Sequence, residues 1–321
     1  AYARNFDPSR PLHYEGGIRG NWMGSHSLTD VICPMYPAIT AIKEYATSNK
    51  ADRPLIMCEY SHAMGNSNGT LAEYWEVIET TRGLQGGFIW EFWDHGPVQT
   101  MPDGSKRNAY GGDYGEKKHD GNFCCDGMVF PDRTAKPAMA EFKAIAAPAN
   151  ISAVKASTGS FKIFNKHFFK DLSEYEVAWT ITRDGLITDS GKVKLAKVAP
   201  RKTVAFKVAS KHLAKADGLG ERFITFTITR IESTPWAPAF TEVGWNQMAL
   251  PSRALTVKAA KASDEFTNVL DDYGQIVMPR GVVAPVLSLW RAPTDNDRIG
   301  HMATKWNRWG LRDMDRTDCV V

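Results

Sequence analysis

Two apolar runs constrain the N-terminal half of the chain more than any other feature. The first, Leu55-Ile56-Met57-Cys58, runs into Glu59; the second, Gly86-Gly87-Phe88-Ile89-Trp90, runs into Glu91. Between them Leu71, Tyr74, Trp75 and Ile78 fall at i, i+3, i+4 and i+7, which puts one apolar stripe on a helix. Strands joined by a helical crossover lie parallel in one sheet. The same alternation extends upstream: residues 11–15 and 30–36 read as strands, and 38–46 as a helix with Ile39, Ile42 and Ala46 on one face. With strands at 54–59 and 88–92, and Gly83 placed to end the second helix, the spacing predicts four strand–helix units. Four such units make half of a (β/α)8 barrel, whose chemistry lies at the C-terminal strand tips. Those tips are Glu15, Tyr36, Glu59 and residues 90–94.

The pattern changes near residue 151. Short alternating strands follow with no helix of any length, for example 161–164, 176–181, 203–208 and 222–228, separated by polar turns such as Arg183-Asp184-Gly185. About seven strands over roughly 110 residues is the signature of an immunoglobulin-like β-sandwich. From Ala262 another β region is expected to begin, interrupted at residues 290–297. The predicted domains are therefore 1–149, the C-terminal half of a barrel; 150–261, the immunoglobulin-like sandwich; and 262–321, the start of a larger β-sandwich. The chain opens at Ala1 without a methionine and ends after Val321, so it reads as a piece of a longer protein.

Composition narrows the class. The 321 residues are 43% hydrophobic and 23% charged, as in water-soluble globular domains. No stretch approaches the roughly 20 apolar residues of a membrane span. Residues 1–150 hold 14 Lys and Arg against 18 Asp and Glu, whereas residues 151–260 hold 17 against 9. That basic middle does not argue for nucleic acid, because Lys192, Lys194, Lys197, Lys202 and Lys207 alternate with apolar residues as on a solvated sheet face. Trp75 and Trp179 are expected in cores, and Trp236 and Trp245 as packing residues. The five cysteines, at 33, 58, 124, 125 and 319, show no zinc spacing, and free thiols suit a cytoplasmic protein. His95, His119, Asp94, Asp113 and Asp120 likewise lack the spacing of a transition-metal site.

A carboxylate at a strand tip, a histidine three residues on and tryptophans on the next tip form a sugar-cleaving layout. Glu59 is placed to attack an anomeric carbon, His62 to hydrogen-bond hydroxyls, and an indole face to stack on a pyranose. The wording around these residues carries a resemblance. Cys58-Glu-Tyr-Ser-His-Ala-Met-Gly-Asn66 and Gly86-Gly-Phe-Ile-Trp-Glu-Phe-Trp-Asp94 closely resemble the nucleophile and following strands of the β-galactosidases of glycoside hydrolase family 2. So do residues 7–11, 14–16, 33–36, 110–113 and 123–127, and residues 291–297 resemble a motif of the family's last β domain.

The resemblance implies Glu59 as nucleophile, Tyr36 as the phenol beside it, His62 on sugar hydroxyls and Trp90 as the floor of the galactose site. It also implies a sodium ion held by the main-chain carbonyl of Phe123 and the side chain of Asp126, where many relatives carry Asn. The family's acid/base Glu follows an Asn, and no Asn-Glu pair occurs in this sequence. That residue and the magnesium ligands are thus expected upstream of Ala1, and the chain alone is expected to be inactive. The intact enzyme is expected to be a homo-oligomer that cleaves galactosides such as lactose with retention, without nucleic-acid or membrane partners. The alternatives are a sister glucuronidase or mannosidase, and a non-catalytic carbohydrate-binding fragment.

Overall fold

The computed structural model describes residues 2–24, 26–195, 197–214, 219–253, 276–278, 281 and 289–312. The chain forms two compact units, one of Ala1–Phe142 with Asp264–Val321 and one of Lys143–Ser263. Among the described residues no helix is long and apolar enough to cross a membrane.

In the first unit, helix α1 (Tyr2–Phe6) precedes α2 (Ile39–Thr47), and strand β1 (Leu55–Tyr60) is joined by α3 (Leu71–Thr80) to strand β2 (Leu84–Ile89). β1 and β2 pair in parallel, from Leu55 opposite Leu84 to Tyr60 opposite Ile89. Helix α3 buries Leu71 and Ile78, while the Trp75 indole donates to the Tyr60 hydroxyl and the Tyr74 hydroxyl to the Pro37 carbonyl. β2 begins four residues earlier than expected. The helix is capped at Thr81, Gly83 (φ 93°) leads directly into the strand, and Gly87 lies inside it because a Cβ there would meet Met57 and Tyr60.

Along the other edge of β1, residues 32–36 run parallel to it but form only isolated bridges, Ile32 to Leu55 and Met35 to Glu59. Proline explains the interruption. Ile56 N donates to the Ile32 carbonyl, and a regular ladder would return a bond from position 34 to the Ile56 carbonyl. Pro34 has no N–H to give. His13 Nε2 meets that carbonyl instead, at 3.2 Å. Past β2, residues 91–94 pair with 126–129: Glu91 N to Asp126 O at 2.7 Å, Met128 N to Glu91 O at 2.9 Å and Asp94 N to Val129 O at 3.0 Å, with a parallel bridge between Trp93 and Val129.

Four parallel positions therefore exist, but one differs from the expected set. Residues 11–15 are not a strand. Leu12 N donates to the Asp30 carboxylate and Tyr14 N to the Thr29 hydroxyl, and Glu15–Gly17 then forms a 3-10 turn. Side chains have taken the hydrogen bonds a strand would need, and residues 126–129 fill the fourth place. The link from 94 to 126 holds a hairpin, β3 (Val98–Thr100) with β4 (Lys106–Asn108), rather than a helix. The chain leaves this region through α4 (Ala138–Ile145).

Among its described residues the second unit has seven strands, against about seven expected. β5 (Ala149–Lys155), β6 (Ser160–Asn165) and β9 (Thr203–Lys207) form one sheet. β7 (Tyr175–Arg183), β8 (Leu186–Val193), β10 (Arg222–Arg230) and β11 (Glu242–Ala249) form the other. Inward residues of both sheets share one core: Ile151, Phe161 and Ile163 from the first, Val177, Trp179, Ile181, Ile224, Phe226 and Ile228 from the second. Phe161 and Phe226 meet edge to face at 4.9 Å between centroids. Lys192, Lys194, Lys197, Lys202 and Lys207 are all exposed, as on a solvated face. Trp236 and Trp245 were expected to pack, but they are 79% and 45% exposed. Both stand outside the apolar alternation that fills the core.

The region read as a further β domain lies largely outside the described residues. Residues 289–312 carry two short helices, α5 (Asp295–Ile299) and α6 (Met302–Arg308).

Candidate active site

Glu59 sits at the end of β1, half-buried, where the pairing slips out of register. Tyr36 N bonds the Glu59 carbonyl at 2.9 Å, and Met35 bridges Glu59. A register irregularity beside a strand tip re-aims the side chain there. Tyr36 itself has φ 47°, a left-handed conformation uncommon for an aromatic residue. From it the phenol hydrogen-bonds the Glu59 carboxylate. Burial first, then that hydrogen bond and the Glu59 charge, push the Tyr36 pKa above its ordinary value of 10. The phenol is the donor and the carboxylate the acceptor.

His62 lies on the loop after β1, which Ala63 N fastens to the Trp90 carbonyl at 2.7 Å. Its ring is 6.1 Å from Tyr36 and 5.5 Å from Phe123, centroid to centroid. Nε2 stands 3.7 Å from Asp126 Oδ2, which also accepts from the Trp90 indole at 3.0 Å. Trp90 remains 39% exposed, so its ring face is open, and its peptide bond to Glu91 is cis. The structure thus brings Tyr36, Glu59, His62, Trp90, Phe123 and Asp126 into one cluster at one end of the parallel strands.

Asp126 is only 3% exposed, and its Oδ1 is buried without a hydrogen-bond partner. Glu91 lies against it. Burial, the hydrogen bond to Asp126 and the Asp126 charge push the Glu91 carboxyl above its ordinary range, with His95 Nε2 at 3.2 Å opposing. Two carboxyl groups in contact hold one proton more readily than two charges. A hard, oxygen-seeking cation fits the orphaned Oδ1. Among the described residues no group of three or more His, Cys, Asp and Glu side chains could hold a metal ion. A cation here would rest on one carboxylate and main-chain oxygen.

Three participants were not foreseen. Lys136 and Asp94 form an ion pair at 2.7 Å, each side chain 4% exposed, and Asp94 also accepts from Gly127 N at 2.6 Å. This strut fixes the segment that carries Asp126, and Gly127 is required there because a Cβ would strike the Trp93–Asp94 backbone. Asp94 thereby has a structural partner, as does Asp113, which pairs with Arg107 at 2.9 Å. The third is Asn296, on α5, which hydrogen-bonds His62. The sequence does signal the helix start, since Thr294 and Asp297 form a capping box. It does not signal that α5 packs on a loop more than 200 residues away.

Residues 1–151 match the model for glycosyl hydrolases family 2, TIM barrel domain, and residues 161–251 match that for beta-galactosidase, domain 4. The chain belongs to glycosyl hydrolase family 2. Among curated family relatives, a beta-galactosidase of Priestia megaterium is 33% identical over 94% of this chain and 31% of its own length. Beta-galactosidase 2 of Enterobacter cloacae is 33% identical over 96% of this chain and 28% of its own. A beta-galactosidase of Vibrio vulnificus is 35% identical over 79% and 25%. The chain therefore spans about a third or less of the length of these relatives.

Removing one partner of a buried ion pair strands the other charge. Lys136→Met should lower the unfolding free energy by about 3–5 kcal/mol. Adding Asp94→Asn should recover part of that, since the amide oxygen still accepts from Gly127. Denaturant titration of both variants measures it, and a single-mutant loss under about 1 kcal/mol would show that the pair does not hold the segment.

Proposed function

We propose that the protein carrying this chain is a retaining β-galactosidase and that Glu59 is its nucleophile. The observation that carries the reading is the gathering of Glu59, Tyr36, His62, Trp90 and Asp126 at one end of the parallel strands, with Tyr36 N on the Glu59 carbonyl at 2.9 Å and the His62 and Tyr36 rings 6.1 Å apart. The Tyr36 phenol beside the Glu59 carboxylate would orient one oxygen and leave the other for the sugar. In the first step this oxygen attacks the anomeric carbon while the bond to the leaving oxygen breaks, giving a covalent galactosyl ester. In the second, water displaces Glu59 and the configuration returns to that of the substrate. The exposed Trp90 face serves as the platform for the apolar side of the ring, and His62 and Asp126 supply acceptors for hydroxyl protons.

The acid that protonates the leaving oxygen must be a second carboxyl group about 5–5.5 Å from Glu59. We assign it to no residue of this chain: Glu91 is engaged with Asp126 and His95, and the Asn-Glu pair of the family pattern does not occur in the sequence. The chain by itself is accordingly expected to be inactive. Among the described residues of the first unit the buried cation is Lys136, and it is committed to Asp94, which favours a neutral sugar over a glucuronide. A sodium ion held by Asp126 and the Phe123 carbonyl would supply a fixed positive charge for the sugar's hydroxymethyl oxygen. The second unit reads as the family's immunoglobulin-like domain.

A 2-deoxy-2-fluoro galactoside inactivator is expected to label Glu59 in the intact enzyme; a label on Glu91 or Asp94 would overturn the assignment. Glu59→Gln should lower kcat by at least ~10³-fold, about 4 kcal/mol of barrier.

Because the Tyr36 pKa is raised, the phenol stays protonated as pH climbs through neutrality. Tyr36→Phe is thus expected to reduce kcat while leaving the alkaline limb of the pH–rate profile in place. A limb displaced in the variant would mean that the phenol itself titrates there.

Replacing sodium with a bulky organic cation should impair turnover of an aryl galactoside more than that of the corresponding arabinoside, which lacks the hydroxymethyl group. Equal responses would remove Asp126 and Phe123 from the proposed cation site.

A further inference from the structure

Asn296 touches His62 twice. Its Nδ2 lies 2.9 Å from the His62 main-chain carbonyl, and its Oδ1 lies 2.8 Å from His62 Nδ1. A carbonyl oxygen only accepts, so the group facing it must be the amide NH2. The amide orientation follows, and with it the identity of the atom facing the ring. An amide oxygen only accepts, so Nδ1 must carry a hydrogen. In the neutral imidazole Nε2 is then a bare lone pair. That nitrogen is buried, has no hydrogen-bond partner, and faces Asp126 Oδ2 at 3.7 Å. Two acceptors turned toward one another select a ligand group that donates.

The docking that makes this possible is built in from both sides. Gly65 has φ 62°, and a Cβ on it would run into the Asp295 carboxylate. On α5, Thr294 and Asp297 cap each other, and Arg291 holds Asp297 through two contacts of 2.6 and 3.1 Å. Asn296 therefore sits on a pinned helix start against a loop with a glycine cut out for it.

The geometry points to Asn296 as the positioning residue that locks His62 in the Nδ1–H tautomer, so that Nε2, beside Asp126, accepts a hydrogen bond from the sugar's hydroxymethyl hydroxyl. The specificity that results is for a hydroxyl able to donate. This rests on the reading of His62 as a substrate-binding residue, and the test separates the two.

In the intact enzyme, KM and kcat are measured for an aryl β-galactoside and the matching arabinoside in four forms: wild type, Asn296→Ala, His62→Ala and the double variant. Asn296→Ala is expected to raise KM for the galactoside about tenfold with a smaller change in kcat, and to leave the arabinoside nearly unaffected. The double variant should be no worse than His62→Ala alone, because Asn296 acts through His62. Thermal unfolding should show all forms folded. Additive losses would overturn the proposal while leaving His62 as a binding residue. So would equal losses on both sugars. A His62→Ala variant with unchanged KM and kcat would overturn both the proposal and the reading beneath it.

Discussion

Parallel pairing on both edges of β1 is the constraint from which the rest of the first unit follows. Parallel strands all end at the same side, so whatever their last residues carry is gathered at one place. Tyr36, Glu59 and Trp90 are distant in sequence only because the chain must cross back between strands, and His62 follows Glu59 by three residues. The ladder also sets the backbone offset at Glu59, where a slipped register replaces regular pairing and the phenol of the neighbouring position takes up the carboxylate.

The polar groups under this surface are arranged in two grades. Asp94 is satisfied outright by a lysine and a backbone N–H, as a buried charge requires. Asp126, the residue just before the glycine whose N–H Asp94 accepts, is left with one oxygen unmet, and His62 with one nitrogen unmet. A folded chain tolerates such groups where something else completes them, and the His62 nitrogen faces the other Asp126 oxygen at 3.7 Å. The satisfied pair provides rigidity; the unsatisfied groups are the ones proposed to meet the sugar and its cation.

Much of this was legible from residues alone, for reasons that can be named. β1, α2, α3 and strands β6, β7, β9 and β10 of the second unit announce themselves through periods of 2 and 3.6 in their apolar residues. Residues 11–15 showed a strand-like pattern but lost their backbone donors to Asp30 and Thr29, side chains that no local pattern connects to them. Residues 126–129 were missed because so short a run after Gly127 carries no period, and its partner lies some 35 positions back. Glu59 and His62 stood out from their place at a strand tip, whereas the roles expected of Tyr36, Trp90, Phe123 and Asp126 came with the resemblance of the motifs around them. Asn296 and Lys136 act across long separations, and only the folded chain brings them into place.

The His13 contact has a consequence of its own. The Ile56 carbonyl has a donor in this chain only because a side chain from a loop does the work of a missing backbone N–H. Positions 13 and 34 therefore serve the same acceptor. Any residue other than proline at 34 would offer its own N–H and make the imidazole dispensable, whereas proline at 34 makes a donor at 13 worth keeping. The two positions are tied through one carbonyl rather than by touching, and a change at one alters what is required of the other.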